Sequence, residues 1–146
     1  MSGYRGNNLQ AIRLDDARGA IAATDAIVWQ RDRDTPYVPS PLLYDEALYV
    51  IKSNDGILSV FDPETGEPHY ALQRLAGVPN VFASPVGAAG RVYIPGREGT
   101  TLVIRHGPEF EILATNTLDD GFDASPAIVG DEMYLRGRQY LYKIAE

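Results

Sequence analysis

The sequence contains no cysteine, which excludes disulfide bonds and thiolate metal sites. It also has no apolar run that approaches the ~20 residues of a membrane-spanning helix, and its first ten residues lack the apolar core of a secretory signal. Acidic residues outnumber basic ones by 20 to 13, which gives a net charge of −7. Because phosphate contacts need a basic stripe, these absences argue against nucleic-acid binding as well as against a membrane span.

The residues that are present are typical of one folded, strand-rich domain. The chain has 146 residues, of which 45% are hydrophobic and nine are tyrosines. This composition is unlike that of a disordered segment. The most informative stretch runs from Ser40 to Tyr70, because pieces of it recur both upstream and downstream.

Three sequence landmarks repeat in one phase. A Ser-Pro dipeptide recurs at intervals of 44 and 41 residues, a tyrosine lies nine positions after each serine, and a leucine lies 16 or 18 positions after it. The positions are Ser40, Ser84 and Ser125; Tyr49, Tyr93 and Tyr134; and Leu58, Leu102 and Leu141. A period in the low forties that is built of strands predicts the blades of a β-propeller.

Within one repeat unit, four strands alternate with turns. The segments 41–44, 47–52 and 56–61 predict the first three strands, and an outer strand begins at His69. The later turns are Asn54-Asp55-Gly56 and Asp62-Pro63-Glu64-Thr65-Gly66, whose residues tolerate positive φ or preset a chain reversal. We therefore predict an all-β fold made of four-stranded antiparallel blades.

The repeat divides the chain into units of unequal completeness. Residues 40–83 and 84–124 form full blades, residues 1–39 hold only the third and fourth strands of a blade, and residues 125–146 hold only the first three. About 3 to 3.5 blades form an incomplete ring, since known propellers have about four to eight. We expect either that a protein partner or a second copy completes a ring of about six or seven blades, or that the chain is a fragment of a longer propeller.

The turn after the third strand resembles the blade motif of quinoprotein propellers, Ala-x-Asp-x-x-Thr-Gly-Lys-x-x-Trp. Asp62, Thr65 and Gly66 match this motif, Trp29 in the preceding unit matches its Trp, and Tyr70 replaces that Trp. The chain as a whole resembles a C-terminal part of a PQQ-like β-propeller. This resemblance implies that the motif residues dock blades together and that relatives are mostly exported, although the chain itself begins without a signal peptide.

The same resemblance bears on catalysis. In quinoprotein dehydrogenases it would imply pyrroloquinoline quinone held with Ca²⁺, often against a vicinal disulfide, but no position here matches a calcium ligand or a catalytic base. We therefore expect no cofactor and predict a non-catalytic binding or scaffold module that mediates protein–protein interaction and self-assembly. The alternative is a fragment of a quinoprotein dehydrogenase, or of another exported propeller enzyme, whose site lies outside this chain.

Few side chains have the spacing of a reactive or metal site. His69 and His106 are the only histidines, and each is interpreted as an exposed surface residue because a metal site needs three or four convergent ligands. Asp119, Asp120 and Asp123 are candidate Ca²⁺ ligands, but they lack the spacing of a Ca²⁺ loop. Two carboxylate pairs fall at the same first-to-second-strand turn of two units, so the repeat explains them as solvated turn residues.

A candidate partner face is predicted from the segments that precede each Ser-Pro dipeptide. In a propeller these loops gather around the central channel, next to the turns between second and third strands. The candidate ligand or partner residues are Tyr37, Phe82, Arg97, Phe122 and Asp123. The alternative is that the aromatic residues pack between neighbouring blades.

Overall fold

Short antiparallel strands make up the ordered secondary structure of this chain. The computed structural model describes residues 2–3, 7–22 and 24–145. Within them the strands are β1 (Ser2–Gly3), β2 (Asn8–Ile12), β3 (Ile27–Arg31), β4 (Leu42–Tyr44), β5 (Ala47–Ile51), β6 (Ile57–Phe61), β7 (Pro68–Arg74), β8 (Val86–Ala88), β9 (Arg91–Pro95), β10 (Thr100–Arg105), β11 (Ile112–Thr117), β12 (Ala127–Val129), β13 (Glu132–Arg136) and β14 (Leu141–Ile144). A 3₁₀ helix, Leu14–Asp16, lies between β2 and β3. In the described part of the chain, no helix has the length and apolarity needed to cross a membrane.

The strands form four sheets and follow chain order within each. Sheet 1 has the order β1-β2-β3, sheet 2 has β4-β5-β6-β7, sheet 3 has β8-β9-β10-β11 and sheet 4 has β12-β13-β14. Neighbouring strands are antiparallel, so each sheet is a meander of adjacent hairpins. This arrangement confirms the predicted all-β architecture with four-stranded antiparallel sheets.

Sheet 1 has one strand more than the sequence predicts for residues 1–39. Ser2 and Gly3 pair with Leu9 and Asn8, so a short strand precedes the two predicted ones. A strand of two residues is too short to show hydrophobic alternation, so the sequence pattern does not reveal β1. Met1 and Glu146, the outer bounds of the first and last predicted units, lie outside the described residues.

Tight loops with positive φ connect the first and second strands of sheets 2, 3 and 4. Asp45 has a φ of 47°, Ala89 of 49° and Gly130 of 58°, as expected for two-residue hairpin loops that match the strand twist. Asp45 and Asp131 are exposed in these loops. The interpretation of the two carboxylate pairs as turn residues therefore fits their positions.

Alternation along the strands directs apolar side chains to both faces of sheet 2. On one face, Leu9 of sheet 1 is buried with Val50 and Phe61 of sheet 2. The opposite face packs against sheet 3 through a larger cluster that includes Tyr49, Ile51, Leu58, Val60, Val92, Ile94, Leu102 and Ile104. The two seams on either side of sheet 2, called seam 1/2 and seam 2/3, therefore contain most of the core.

Seam 3/4, between sheets 3 and 4, is packed less completely. Val103 of sheet 3 and Leu135 of sheet 4 are buried there. A cleft of about 860 Å³, lined by residues of both sheets, remains between them. Since buried apolar area is the main source of stability, sheet 4 is held less firmly by packing than the other sheets.

Candidate functional site

The loops that precede each Ser-Pro dipeptide lie beside the turns between second and third strands. The loop before Ser84 is bonded to such turns of two sheets. Val81 of this loop donates its backbone N–H to the carbonyl of Asn54 at 2.9 Å, and the backbone N–H of Arg97 donates to the carbonyl of Asn80 at 2.9 Å. One repeat later, the backbone N–H of Arg138 donates to the carbonyl of Gly121 at 3.0 Å. These bonds fix the side chains of both segments next to one another.

Four of these side chains form a connected group that we call the rim cluster: Phe82, Arg97, Asp123 and Arg138. The guanidinium carbon of Arg97 lies 4.1 Å from the centroid of the Phe82 ring, within the range of a cation–π contact. The Nε of Arg97 is 2.9 Å from Asp123 Oδ1, and the Nη2 of Arg138 is 3.2 Å from Asp123 Oδ2. One carboxylate is thus shared by two half-exposed guanidinium groups, which leaves donors of both free to face a partner.

Phe122 and Tyr37 do not join this cluster. Phe122 is fully buried and meets the Tyr142 ring edge-on, with the centroids 5.9 Å apart. Tyr37 is 50% exposed, and its backbone N–H donates to the carbonyl of Ser53 at 3.1 Å. Phe122 lies three positions before its serine, where the preceding unit has the fully buried Val81, whereas Phe82 lies two positions before its serine. In this structure Phe122 is therefore a packing residue.

Asp120, next to the rim cluster, has a role that sequence reasoning missed. Its carboxylate accepts hydrogen bonds of 2.7 to 3.2 Å from backbone N–H groups and from the Tyr142 hydroxyl. The backbone donors are Gly121, Arg138, Gln139 and Tyr140. Three of them form the turn between β13 and β14, so this side chain fastens sheet 4 to the loop that leaves sheet 3.

The surroundings of Asp120 also set its ionisation. Burial alone would raise the pKa of Asp120, but the N–H groups of Gly121, Tyr140 and Gln139 and the hydroxyl of Tyr142 stabilise its carboxylate, and the pKa is held below its usual 3.8. The only sequence signal was its proximity to Asp119 and Asp123. Because most of its partners are backbone groups distant in sequence, no motif spacing in the sequence could have identified this role.

The recurring Ser-Pro dipeptides are explained by hydrogen bonds between sheets. The backbone N–H of Ser40 donates to Oγ of Ser84, and that of Ser84 donates to Oγ of Ser125, each at 2.9 Å. These two bonds therefore link sheet 2 to sheet 3 and sheet 3 to sheet 4. The serine recurs in each unit because it makes the same hydrogen bond between neighbouring sheets.

The quinoprotein-like turn docks sheet 1 on sheet 2. Trp29 donates its indole N–H to the carbonyl of Pro63 at 2.9 Å, and its ring lies over Gly66, where a Cβ would come within 2.7 Å of the indole. Asp62 Oδ1 accepts the backbone N–H groups of Glu64 and Thr65. The bond from Thr65 is the main reason that the pKa of Asp62 is lowered. These contacts support the docking role that the resemblance implies.

His106 is not the exposed surface residue that the sequence suggests. Its ring centroid lies 4.7 Å from that of Tyr44, and its Nδ1 is 2.8 Å from the hydroxyl of Tyr49. Gly107 donates its N–H to the same hydroxyl at 3.0 Å, so this hydroxyl joins two residues of the turn before β11 to sheet 2. Burial raises the pKa of Tyr49. His106 therefore closes seam 2/3, whereas His69 is exposed as expected.

The carboxylates that the sequence offers as calcium ligands are not grouped as a metal site in the described residues. Among the residues that the structure describes, no three or more His, Cys, Asp or Glu side chains are grouped as metal ligands. Asp120 is occupied by backbone donors and Asp123 by two arginines. Two of the three candidate calcium ligands are therefore engaged in structural contacts.

Comparison with known proteins shows the fold. The chain matches no protein-family model and no curated protein, so membership of the PQQ-like family stays a prediction. The crystal structure of BamB from Moraxella catarrhalis matches 96% of this chain with a TM-score of 0.71 and 19% identity, and this chain spans 40% of the BamB chain. The computationally designed Ika4 protein matches 84% of this chain with a TM-score of 0.63 and 14% identity, over 74% of its own chain. The four successive sheets and these likenesses show that the chain has a β-propeller fold whose sheets form an unclosed series of blades.

Proposed function

We propose that this chain is a non-catalytic β-propeller module that binds protein partners, among them a second copy of itself. The observation that carries the proposal is the unclosed series of four sheets. The hydrogen bonds between sheets join neighbours in chain order, so sheets 1 and 4 each keep an outer face for a partner. A propeller buries such faces against further blades.

The outer face of sheet 4 has the composition of a contact surface. Val129 and Leu141 are 63% and 66% exposed there, and strand register places them on the same face as Tyr134 and Lys143. Glu132 accepts a hydrogen bond from Tyr134 and pairs with Lys143. Exposed apolar residues bordered by satisfied polar groups are typical of protein interfaces rather than of bare surface.

The rim cluster is the second surface that we assign to partner binding. Arginine and aromatic residues are enriched at protein interfaces, and Phe82, Arg97 and Arg138 present both kinds of side chain. Tyr37 and Asp123 belong to the same proposed face, and Glu98 and Asp119 line the open depression beside it. This mixture of charges suits a polar protein surface better than a strongly charged small ligand.

The number of sheets revises the size of the assembly. The sequence predicted a ring of about six or seven blades, but strand β1 gives sheet 1 a third strand, so each copy contributes four sheets. Two copies then supply eight sheets, which is within the known range of about four to eight blades. We accordingly propose an eight-sheet ring as the form of the homodimer.

Light scattering after size-exclusion chromatography tests self-assembly. We expect a mass of twice 16.0 kDa. We also expect Leu141→Glu to shift the chain towards the monomer, because it places a charge on the face that the proposed dimer would bury. Leu43→Glu is the matched control, since Leu43 is similarly exposed at 61% but lies on sheet 2. A monomer mass at every protein concentration, or an equal effect of the two variants, contradicts the proposed assembly.

A further inference from the structure

The two buried apolar clusters hold sheets 1, 2 and 3 together and leave sheet 4 out. Among the described residues, neither cluster contains a side chain of β12, β13 or β14. Sheet 4 is joined to sheet 3 by polar links that include the Ser84–Ser125 hydrogen bond and the Arg97–Asp123 ion pair. Because apolar burial is the main source of stability, sheet 4 separates from sheet 3 at a lower cost in free energy than sheet 2 does.

The connection between sheets 2 and 3 is anchored in the core, whereas the connection between sheets 3 and 4 is not. In the first connection, residues 75–85, the side chains of Leu75, Val78 and Val81 are buried in the cluster of seam 2/3. The second connection, residues 118–126, is shorter. Its buried aromatic residue, Phe122, meets the ring of Tyr142 in sheet 4. The second connection is therefore packed on the sheet that it leads into.

Asp120 marks the start of the unit that contains sheet 4. The hydrogen-bond donors to its carboxylate lie between Gly121 and Tyr142, inside that unit. On the other side, Leu118 donates its backbone N–H to the carbonyl of Gly99 in sheet 3 at 3.1 Å. Residues 120–145 therefore form one unit with sheet 4, and Leu118 belongs to sheet 3.

A single tight turn joins this unit to sheet 3. The backbone N–H of Asp120 donates to the carbonyl of Leu118 at 2.8 Å, which is the hydrogen bond of a γ-turn centred on Asp119. Asp119 is exposed. Extension of the chain at this turn would carry residues 120–145 away from sheet 3 and would leave the pairing of β12, β13 and β14 intact.

We propose that two copies of the chain exchange residues 120–145, so that sheet 4 of each copy packs on sheet 3 of the other. The exchanged pair re-forms the Ser84–Ser125 bond and the Arg97–Asp123 ion pair between chains. Only the turn at Asp119 has to change, and for this reason exchange of an identical element is a low-cost route to a dimer. The short connection favours exchange, because an extended hinge does not have to reverse the chain.

The occupant of the vacated surface is a second copy, because the side of sheet 3 that faces seam 3/4 already fits sheet 4. The sheet 4 of the same chain competes for this surface at an effective concentration on the order of 1 mM. The exchanged dimer is therefore expected when the protein is refolded at high concentration. The inference rests on the proposed self-assembly and names the surfaces through which the copies are joined.

Cysteine cross-linking tests the exchange, because the parent chain has no cysteine. Ser84→Cys together with Ser125→Cys places one thiol on each side of seam 3/4, at positions joined by a hydrogen bond. The variant is refolded at high concentration, and its dimer fraction is treated with a short bis-maleimide. We expect cross-linked chains of twice 16.0 kDa in denaturing electrophoresis. Cross-links that stay within single chains overturn the proposal.

Ser40→Cys together with Ser84→Cys is the matched control, since the same hydrogen bond joins these positions in seam 2/3. Sheets 2 and 3 share the large apolar cluster, so we expect these cross-links to form within single chains. Circular dichroism melts establish that both cysteine variants fold. Equal proportions of two-chain cross-links in the two variants overturn the proposal.

A change in hinge length tests the exchange without altering the seam. Insertion of Gly-Gly-Ser after Asp119 lets the chain reverse without the tight turn, so we expect the light-scattering mass after refolding to return to 16.0 kDa. The same insertion after Gly19 is the control, because Gly19 is exposed and nothing lies within 4 Å of a Cβ there. We expect this control to keep the dimer mass, and equal masses of the two insertion variants overturn the proposal.

The outcomes separate the exchange from assembly through the outer face of sheet 4. A dimer that persists in Leu141→Glu and shows two-chain cross-links supports the exchange and removes the outer face as the contact. A dimer that Leu141→Glu dissociates, with cross-links inside single chains, removes the exchange and supports the outer face. A single-chain mass after refolding at every protein concentration removes both.

Discussion

At the scale of single residues, polar side chains at the seams form specific hydrogen bonds that hold neighbouring sheets in position. The carboxylate of Asp120 accepts the backbone N–H groups of Gln139 and Tyr140 at the β13–β14 turn. The ring nitrogen Nδ1 of His106 forms a hydrogen bond with the hydroxyl of Tyr49 inside seam 2/3. Because an unpaired polar group in such a place costs more than a hydrogen bond gains, both positions tolerate few replacements.

Asp120→Asn is expected to lower the melting temperature. The amide NH₂ of asparagine would face backbone N–H groups that now donate to a carboxylate, and it cannot accept from them. Asp119→Asn is the matched control, since it makes the same change of charge at an exposed neighbour. Thermal melts by circular dichroism measure the difference, and equal effects of the two substitutions would refute the assigned role.

The same substitution has a defined dependence on pH. The folded-state pKa of Asp120 is lowered from its usual 3.8, so its contribution to stability is complete above that value and is lost as the pH falls through the lower folded-state pKa. The difference in melting temperature between parent and Asp120→Asn is therefore expected near neutral pH and should shrink under strong acid. A difference that grows as the pH falls would contradict this sign.

At the scale of turns and strands, we expect the contact between the quinoprotein-like turn of sheet 2 and Trp29 of sheet 1 to stabilise the chain. Gly66→Ala is expected to destabilise the chain by about 1–3 kcal/mol, because Gly66 has a φ of +74° and the added Cβ would meet the Trp29 ring. Gly77→Ala is the matched control: its φ is +76°, but nothing lies within 4 Å of the new Cβ. Urea unfolding measures both.

A double-mutant cycle with Trp29→Ala isolates the contact between the sheets. Once the indole is removed, Gly66→Ala should cost only the backbone strain that Gly77→Ala also shows. If Gly66→Ala costs the same with and without Trp29, then the turn does not dock sheet 1 and its glycine serves the turn alone.

The repeat made most elements of the fold predictable, because strand alternation and turn residues are local properties of the sequence. The Ser-Pro positions predicted the sheets, and Trp29 predicted a docking contact. Phe122 was a candidate either for a partner face or for packing between blades, and its sequence could not decide because its burial depends on Tyr142, which belongs to the following sheet. His106 was misjudged for the same reason, since its partners Tyr44 and Tyr49 belong to the preceding sheet. Contacts between sheets are long-range and leave no local pattern.

At the scale of the whole molecule, the three seams differ in how they are held. Seams 1/2 and 2/3 have buried apolar clusters. Seam 3/4 depends more on polar links: the Ser84–Ser125 bond, the donors to Asp120, and the ion pairs of Asp123 with Arg97 and Arg138. A sheet that is held by polar links beside an open cleft opens more easily than one that is packed on both faces.

Native-state hydrogen exchange should therefore show an order of opening that follows the seams. We expect the slowest exchange in β5, β6, β9 and β10, which flank seam 2/3, and the fastest among the sheets in β12, β13 and β14. Asp120→Asn should accelerate exchange in β13 and β14 and leave β5 and β6 unchanged, because it releases sheet 4 without touching seam 2/3. Uniform exchange across the four sheets would mean that the cleft does not weaken seam 3/4 and that the series unfolds as one unit.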